Sequence, residues 1–136
     1  MWRLSIRCII EGEMEKKILR LRYKNNRGYF SLMRTDYTGR GTGNDTRYYE
    51  YLFFPVRDLV TGEIVGFSND GGYFPEDYPR IMQLLKEHPI CERYDVPELG
   101  LVDVTVDQIL TAIYEQHVLA PRWERPPIQV EVAHPA

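Results

Sequence analysis

Residues 48–67, YYEYLFFPVRDLVTGEIVGF, form the most aromatic and β-branched stretch of the chain. Such side chains favour the pleated, half-buried surface of a sheet. The stretch is predicted to form two strands, residues 48–57 and 63–67, joined by a turn that contains Thr61 and Gly62. Because hydrophobic side chains occupy both registers of the first strand, we expect it to be buried on both faces. This hairpin is therefore predicted to be the scaffold of the fold.

A second hairpin is predicted directly before it. Three hydrophobic residues share one side of the first arm: Leu19, Leu21 and Tyr23. The alternate positions are cationic: Arg20, Arg22 and Lys24. Residues 25–28, NNRG, supply a turn because Asn and Gly tolerate positive φ, and residues 29–34 return as the second arm. The period of two predicts one buried and one exposed, basic face.

The two hairpins are connected by a Gly/Thr-rich stretch, residues 35–47, TDYTGRGTGNDTR. Glycine loses much backbone freedom on ordering, so the stretch is predicted to be a loop, and loops of this length are often functional. Its amides could surround an anion, with Arg40 and Arg47 adding charge. It lacks the fixed glycine spacing and the following helix of known phosphate-binding loops, so a hairpin connection is favoured.

The second half of the chain predicts two helices. Hydrophobic residues recur at helical spacing over residues 76–88, with Asp77 as the expected N-cap, and again over residues 105–118, where Thr105 and Gln108 fit a capping box. The tail, residues 120–136, is rich in proline and then alternates, which predicts an edge strand. Alternation over residues 2–10 predicts a further strand at the start of the chain.

Strands followed by helices indicate an α+β fold. No linker divides residues 1–136, so a single domain is expected. We predict a mostly antiparallel sheet of four to six strands, arranged as a meander, with two helices packed on one face.

The amino-acid composition and net charge indicate which class of protein this chain belongs to. The chain of 136 residues has 43% hydrophobic and 27% charged residues and a net charge of −3, which is typical of a small soluble domain. Residues 1–50 carry a net charge of +5 and residues 51–136 one of −8, a split that suits an anionic partner or packing between subunits. No stretch approaches the length of a membrane helix. The absence of a secretory signal predicts a cytoplasmic protein in which Cys8 and Cys91 are reduced.

Basic side chains interleaved with aromatic rings are the main candidates for ligand binding. Such a hairpin could contact phosphates, stack bases or enter a major groove as a two-stranded ribbon. Cations on an exposed strand also prevent edge-to-edge aggregation, and the acidic pI of about 5.6 argues against a dedicated nucleic-acid binder. The predicted binding residues are Arg20, Arg22, Lys24, Arg27, Tyr29, Arg40 and Arg47.

Other chemistry has less support in the sequence. The three histidines have no metal-ligand spacing, and neither a metal nor a cofactor is predicted. No catalytic motif is present, so an enzyme is not favoured. We predict a non-enzymatic binding or regulatory module that self-associates through a sheet edge or the tail. Two alternatives stay open: nucleic-acid binding by residues 16–34, and a small enzyme with its site between the loop 35–47 and the acidic segment 70–77.

Overall fold

The computed structural model of the chain describes residues 17–24, 28–39, 41–69 and 73–119. Within these residues there are seven strands, two α-helices and one turn of 3₁₀ helix at Pro97–Leu99. The strands are β1 Lys17–Tyr23, β2 Phe30–Arg34, β3 Thr42–Asn44, β4 Phe54–Asp58, β5 Ile64–Ser68, β6 Tyr94–Val96 and β7 Leu101–Val104. The helices are α1 Phe74–Glu87 and α2 Val106–Leu119.

The strands form one sheet in the order β3-β4-β5-β2-β1-β6-β7. All neighbours are antiparallel except β1 and β6, which are parallel. The predicted α+β class and mostly antiparallel sheet are therefore confirmed. The described sheet has one strand more than the largest number predicted, and it is mixed because β1 and β6 are parallel. It is not a simple meander, because the chain crosses from β2 to the far edge before it returns through β5.

One face of the sheet carries the core. Leu21, Leu32 and Phe67 are opposite one another on β1, β2 and β5, and all three are buried. Residues of both helices complete the same cluster, among them Ile81, Leu84, Ile109, Leu110 and Ile113. The helices also contact each other, through the stacked rings of Tyr78 and Tyr114, whose centroids are 4.1 Å apart. Since side chains alternate along a strand, the residues between the core positions must point to the opposite face.

The aromatic stretch that begins at residue 48 enters the sheet later than predicted. Residues 48–53 form a turn, because Glu50 and Tyr51 have left-handed φ of 55° and 63°, which a strand does not allow. The rings of Tyr49 and Phe53 nevertheless lie in the core. From Phe54 the chain is extended, and three successive residues of β4 are buried. The predicted burial on both faces is confirmed for this part of the strand.

The loop between the hairpins is anchored to the turn between β4 and β5. The hydroxyl group of Tyr37 donates a hydrogen bond to Asp58 Oδ2 at 2.7 Å, and the other carboxylate oxygen accepts the N–H groups of Val60 and Thr61. Three residues of the loop pair with β4 as strand β3. This pairing was not predicted, because a strand of three residues with a central glycine has no distinctive pattern.

Both helices begin near their predicted positions. The N-cap of α1 is Tyr73 rather than Asp77, because Asp77 lies inside the first turn and its carboxylate accepts the Tyr73 N–H at 3.1 Å. At the start of α2 the N–H of Thr105 donates to Gln108 Oε1 at 2.9 Å, which is one half of the predicted capping box. None of the helices within the described residues is long and apolar enough to cross a membrane. The strands predicted over residues 2–10 and in the tail lie outside the described residues.

We expect Asn69→Ala to destabilise the fold by about 2–3 kcal/mol, because it removes two hydrogen bonds to backbone groups of buried residues. Asn69 is 2% exposed, and its amide accepts the N–H of Phe30 at 2.8 Å and donates to the carbonyl of Gly28 at 2.7 Å. Urea denaturation measures the free energy of unfolding. Asn44→Ala, at an exposed position of β3, is the control and should change it by less than about 0.5 kcal/mol. Equal effects of the two substitutions would contradict this role of Asn69.

Candidate functional site

The face of β1 and β2 opposite the core is basic. Arg20, Arg22 and Lys24 are exposed at alternate positions of the first arm. Met33 is opposite Arg20, and Ser31 is opposite Arg22, on the neighbouring strand. We call these five residues the basic face. Successive cations along β1 are separated by about 7 Å, twice the rise per residue of a strand.

The cations of the basic face differ in their partners. Arg20 forms an ion pair with Glu98 at 3.2 Å. Arg22 and Lys24 form no ion pair within the described residues, and Arg22 is the one arginine in that part of the chain for which this holds. The described arginines that have a carboxylate partner are Arg20, Arg34, Arg47, Arg57, Arg80 and Arg93.

Shallow concavities lie on both sides of Arg22. One, of about 440 Å³, is lined by Arg20, Arg22, Ser31, Met33, Arg34 and Thr35. The other, of about 490 Å³, is lined by Arg22, Tyr23, Lys24 and Ser31. The surface therefore offers two cations with no ion-pair partner among the described residues, a hydroxyl group and room for a ligand in one place.

The basic hairpin is not a free ribbon. β2 is flanked by β5, and β1 pairs with β6 over its first two residues. Within the described residues the hairpin belongs to a sheet of seven strands, which is wider than the two-stranded ribbon that a major groove admits. The free two-stranded ribbon considered from the sequence is therefore not what the described residues form, and nucleic-acid binding by residues 16–34 stays a prediction.

The structure brings together four of the seven predicted binding residues. Arg20, Arg22 and Lys24 share the basic face, and half-buried Tyr29 adjoins it, since its carbonyl accepts the Lys24 N–H at 2.9 Å. Arg47 lies elsewhere, next to Asp45, in a second cluster of polar residues. Arg27 and Arg40 lie outside the described residues.

The second cluster is organised by the carboxylate of Asp45, whose side chain is only 8% exposed. Arg47 donates to both of its oxygens, at 2.8 and 2.6 Å, and the Nε of Arg57 donates to Oδ2 at 2.7 Å. These hydrogen bonds, first those of Arg47 and then that of Arg57, hold the pKa of Asp45 well below its usual range. The ion cluster ties the end of the Gly/Thr-rich loop to β4.

A pocket of about 360 Å³ lies beside this ion cluster. Its walls are the turn after β3, the core side of β4 and β5, and the segment that follows α1. The lining residues are Asp45, Tyr48, Tyr49, Pro55, Arg57, Ile64, His88, Pro89, Ile90, Cys91 and Glu92. Apolar and charged groups are both present, as in small-molecule sites.

Aromatic side chains form the wall of the pocket next to the end of α1. The rings of Tyr48 and His88 are stacked with centroids 4.4 Å apart. The hydroxyl group of Tyr49 donates to the His88 carbonyl at 2.6 Å, and burial raises the pKa of Tyr49 to about 12. Tyr49 therefore remains a neutral donor at physiological pH. Arg47 lies over the ring of Tyr48 at 5.2 Å, which fixes the outer wall.

The sequence did not indicate this pocket. The sequence pattern predicts Tyr48 in a strand, and it gives His88 no metal-ligand spacing. The turn that aims Tyr48 at His88 depends on left-handed Glu50 and Tyr51, residue types that rarely adopt that conformation, so no local signal marks it.

The predicted enzyme site is only partly matched by the pocket. The loop 35–47 contributes Asp45, but the opposite wall comes from residues 88–92 and not from the described part of the segment 70–77. Cys91, in the wall, is disulfide-bonded, so the expectation of reduced thiols is wrong for this residue. Cys8 lies outside the described residues. Within the described ranges, no group of three or more His, Cys, Asp or Glu side chains could hold a metal ion.

Asp45→Asn should lower the free energy of unfolding by about 1.5–3 kcal/mol near neutral pH, because a buried carboxylate loses charge-assisted hydrogen bonds. The folded pKa of Asp45 is depressed, so its contribution is complete above the unfolded pKa of about 3.9 and declines as the pH falls below it. Urea denaturation at about pH 6 and about pH 3 should show the difference between the two proteins shrinking in acid.

The control for this substitution is Asp103→Asn. Asp103 has φ 58°, which Asn also tolerates, and its ion pair with Arg93 is exposed and long, at 3.4 Å. We expect a change below about 1 kcal/mol. If the wild type and Asp45→Asn differ in free energy of unfolding by the same amount at both pH values, the direction assigned to the pKa shift of Asp45 is wrong.

Comparison of the chain with family models, with curated proteins and with solved structures finds no match.

Proposed function

We propose that this protein is a non-enzymatic binding module whose basic face takes a phosphate-bearing anion, with single-stranded nucleic acid as the class of partner. The observation that carries this proposal is that Arg22 and Lys24 are exposed and meet no carboxylate within the described residues. An unpaired cation can contact a phosphate directly, whereas a paired one must first give up a carboxylate. Arg22 in β1 and Lys24 directly after it occupy alternate positions of the same arm, so they can contact the same ligand.

A single strand fits this surface better than a duplex. The basic face is broad and shallow because β1 and β2 lie inside the sheet. Single strands are bound by a positively charged surface that follows the backbone, with rings on which bases stack. Tyr29 adjoins Lys24 and offers such a ring, and the hydroxyl group of Ser31 can bond to a phosphate or a base edge.

The catalytic alternative has less support. The side chain of Asp45 is only 8% exposed, and it already accepts hydrogen bonds from Arg47 and Arg57. A general base must be free to take a proton at the working pH, and a carboxylate with a depressed pKa between two guanidinium groups is a poor one.

Binding of a random-sequence, fluorescently labelled single-stranded oligonucleotide tests the proposal. Affinity measured by anisotropy should fall steeply between about 50 and about 200 mM salt, because counterions are released when phosphates are contacted. In the double variant R22A/K24A, affinity should fall by about tenfold or more, and the slope of log K against log salt should become shallower by about 1.4. Each removed phosphate contact contributes about 0.7 to that slope.

The control double variant K86A/R93A removes the same two charges from other exposed positions. Its affinity should stay within about twofold of the wild type, since only long-range charge is lost. Equal weakening in both double variants would show that net charge, rather than the basic face, governs binding. Affinity that does not depend on salt would contradict phosphate contacts altogether.

Self-association, the first partner predicted from the sequence, stays a prediction. The outer strands β3 and β7 have three and four residues, and Asp103 interrupts β7 with a left-handed φ of 58°. Short, irregular edges pair poorly with another chain. Of the two predicted routes we therefore favour the tail, residues 120–136, which lies outside the described residues.

Sedimentation equilibrium over a wide concentration range tests this route. The full chain should associate as its concentration rises, and removal of residues 120–136 should leave a monomer. Val102→Lys, at a 65% exposed position of β7, should associate like the wild type. A full chain that remains monomeric throughout would contradict self-association, and a loss of association in Val102→Lys would assign it to the sheet edge.

The cytoplasmic location also stays a prediction. The disulfide at Cys91 is the observation that argues against it, because disulfides persist mainly in oxidising compartments.

A further inference from the structure

The pocket beside Asp45 has charges of opposite sign on its walls. At one end the pocket is lined by Asp45 and Arg57, and Arg47, which is outside the pocket lining, pairs with the same carboxylate and leaves the three-residue cluster with one net positive charge. Arg57 also donates through Nη1 to the Gly62 carbonyl at 2.8 Å, so its guanidinium is held in place while other N–H groups remain for a ligand. This end of the pocket can bind a carboxylate.

The negative charge of the pocket comes from Glu92. This side chain is half-buried, and it forms no ion pair or hydrogen bond with the described residues. Arg57 and Glu92 both line the pocket, so its walls present charges of both signs to a ligand.

The remaining walls are apolar or aromatic. Pro55, Ile64, Pro89 and Ile90 supply aliphatic surface, and the Tyr48–His88 stack supplies a flat one. A volume of about 360 Å³ is near the small end of ligand sites, which suits a small molecule.

We infer that this pocket binds a free α-amino acid with an apolar side chain. The ligand carboxylate meets the free N–H groups of Arg57, its ammonium group meets Glu92, and its side chain packs against the aliphatic walls. A ligand with a single charge would be attracted at one end and repelled at the other, whereas a zwitterion satisfies both. The site is separate from the basic face, so neither proposal depends on the other.

Isothermal titration calorimetry of the full chain with L-phenylalanine and L-leucine tests the inference. Two derivatives separate the contributions of the charges: N-acetyl-L-phenylalanine lacks the ammonium group, and L-phenylalanine amide lacks the carboxylate. We expect each derivative to bind about 10- to 100-fold more weakly than the free amino acid, the usual effect of losing a hydrogen bond to a charged group. A site for one terminus of a peptide would instead prefer one derivative: the acetylated one if it recognises the carboxylate, or the amide if it recognises the ammonium group.

The variant Glu92→Gln isolates the ammonium contact, because Glu92 holds no other described group in place. It should weaken binding of L-phenylalanine by about 10- to 100-fold and leave N-acetyl-L-phenylalanine unchanged. Glu87→Gln, at an exposed position of α1 outside the pocket, should bind like the wild type. The inference is overturned if neither amino acid binds the wild type, or if Glu92→Gln binds L-phenylalanine as tightly as the wild type does. It is also overturned if either derivative binds the wild type with the same affinity as the free amino acid.

Discussion

Burial of the row formed by Leu21, Leu32 and Phe67 is the constraint on which the rest of the fold depends. These residues are in register across three neighbouring strands, and the two helices cover them. Because side chains alternate along a strand, burying this row places Arg20 and Arg22 on the opposite face. A slip of one residue would bury the arginines and expose the leucines, so the basic face is a direct consequence of the core.

The carboxylate of Asp45 plays a comparable part at the other end of the sheet. It joins a glycine-rich segment, which has little side-chain surface to bury, to the side of β4 through Arg47 and Arg57. The same contacts leave a net positive charge beside the pocket and keep Asp45 ionised well into acid. The ion pairs of Asp45 therefore determine both the position of the loop and the charge beside the pocket. A neutral residue at position 45 would alter both.

Sequence patterns predicted the elements that depend on local periodicity. The basic hairpin, α1, α2 and one half of the capping box at Thr105 are present, because alternation, helical spacing and capping residues act over a few positions. The parallel pairing of β1 with β6 depends on residues far apart in the chain, which no local pattern encodes. The pocket was missed for a related reason, since the turn at Glu50 and Tyr51 adopts left-handed φ without glycine.

The acidic pI of the chain reflects the sum of all its charges. It argues against an anionic partner only if that partner responds to this sum and not to the charges near its binding site. In the described residues most arginines are already neutralised locally: Arg34 lies between Asp36 and Glu63, and Arg80 pairs with Glu50. Salt screens exposed charges beyond about 8–10 Å, so a ligand at the basic face responds mainly to the groups it touches. Those groups include Arg22 and Lys24, which no described carboxylate neutralises. An acidic protein can therefore present a cationic surface, because which charges remain unpaired decides what it binds.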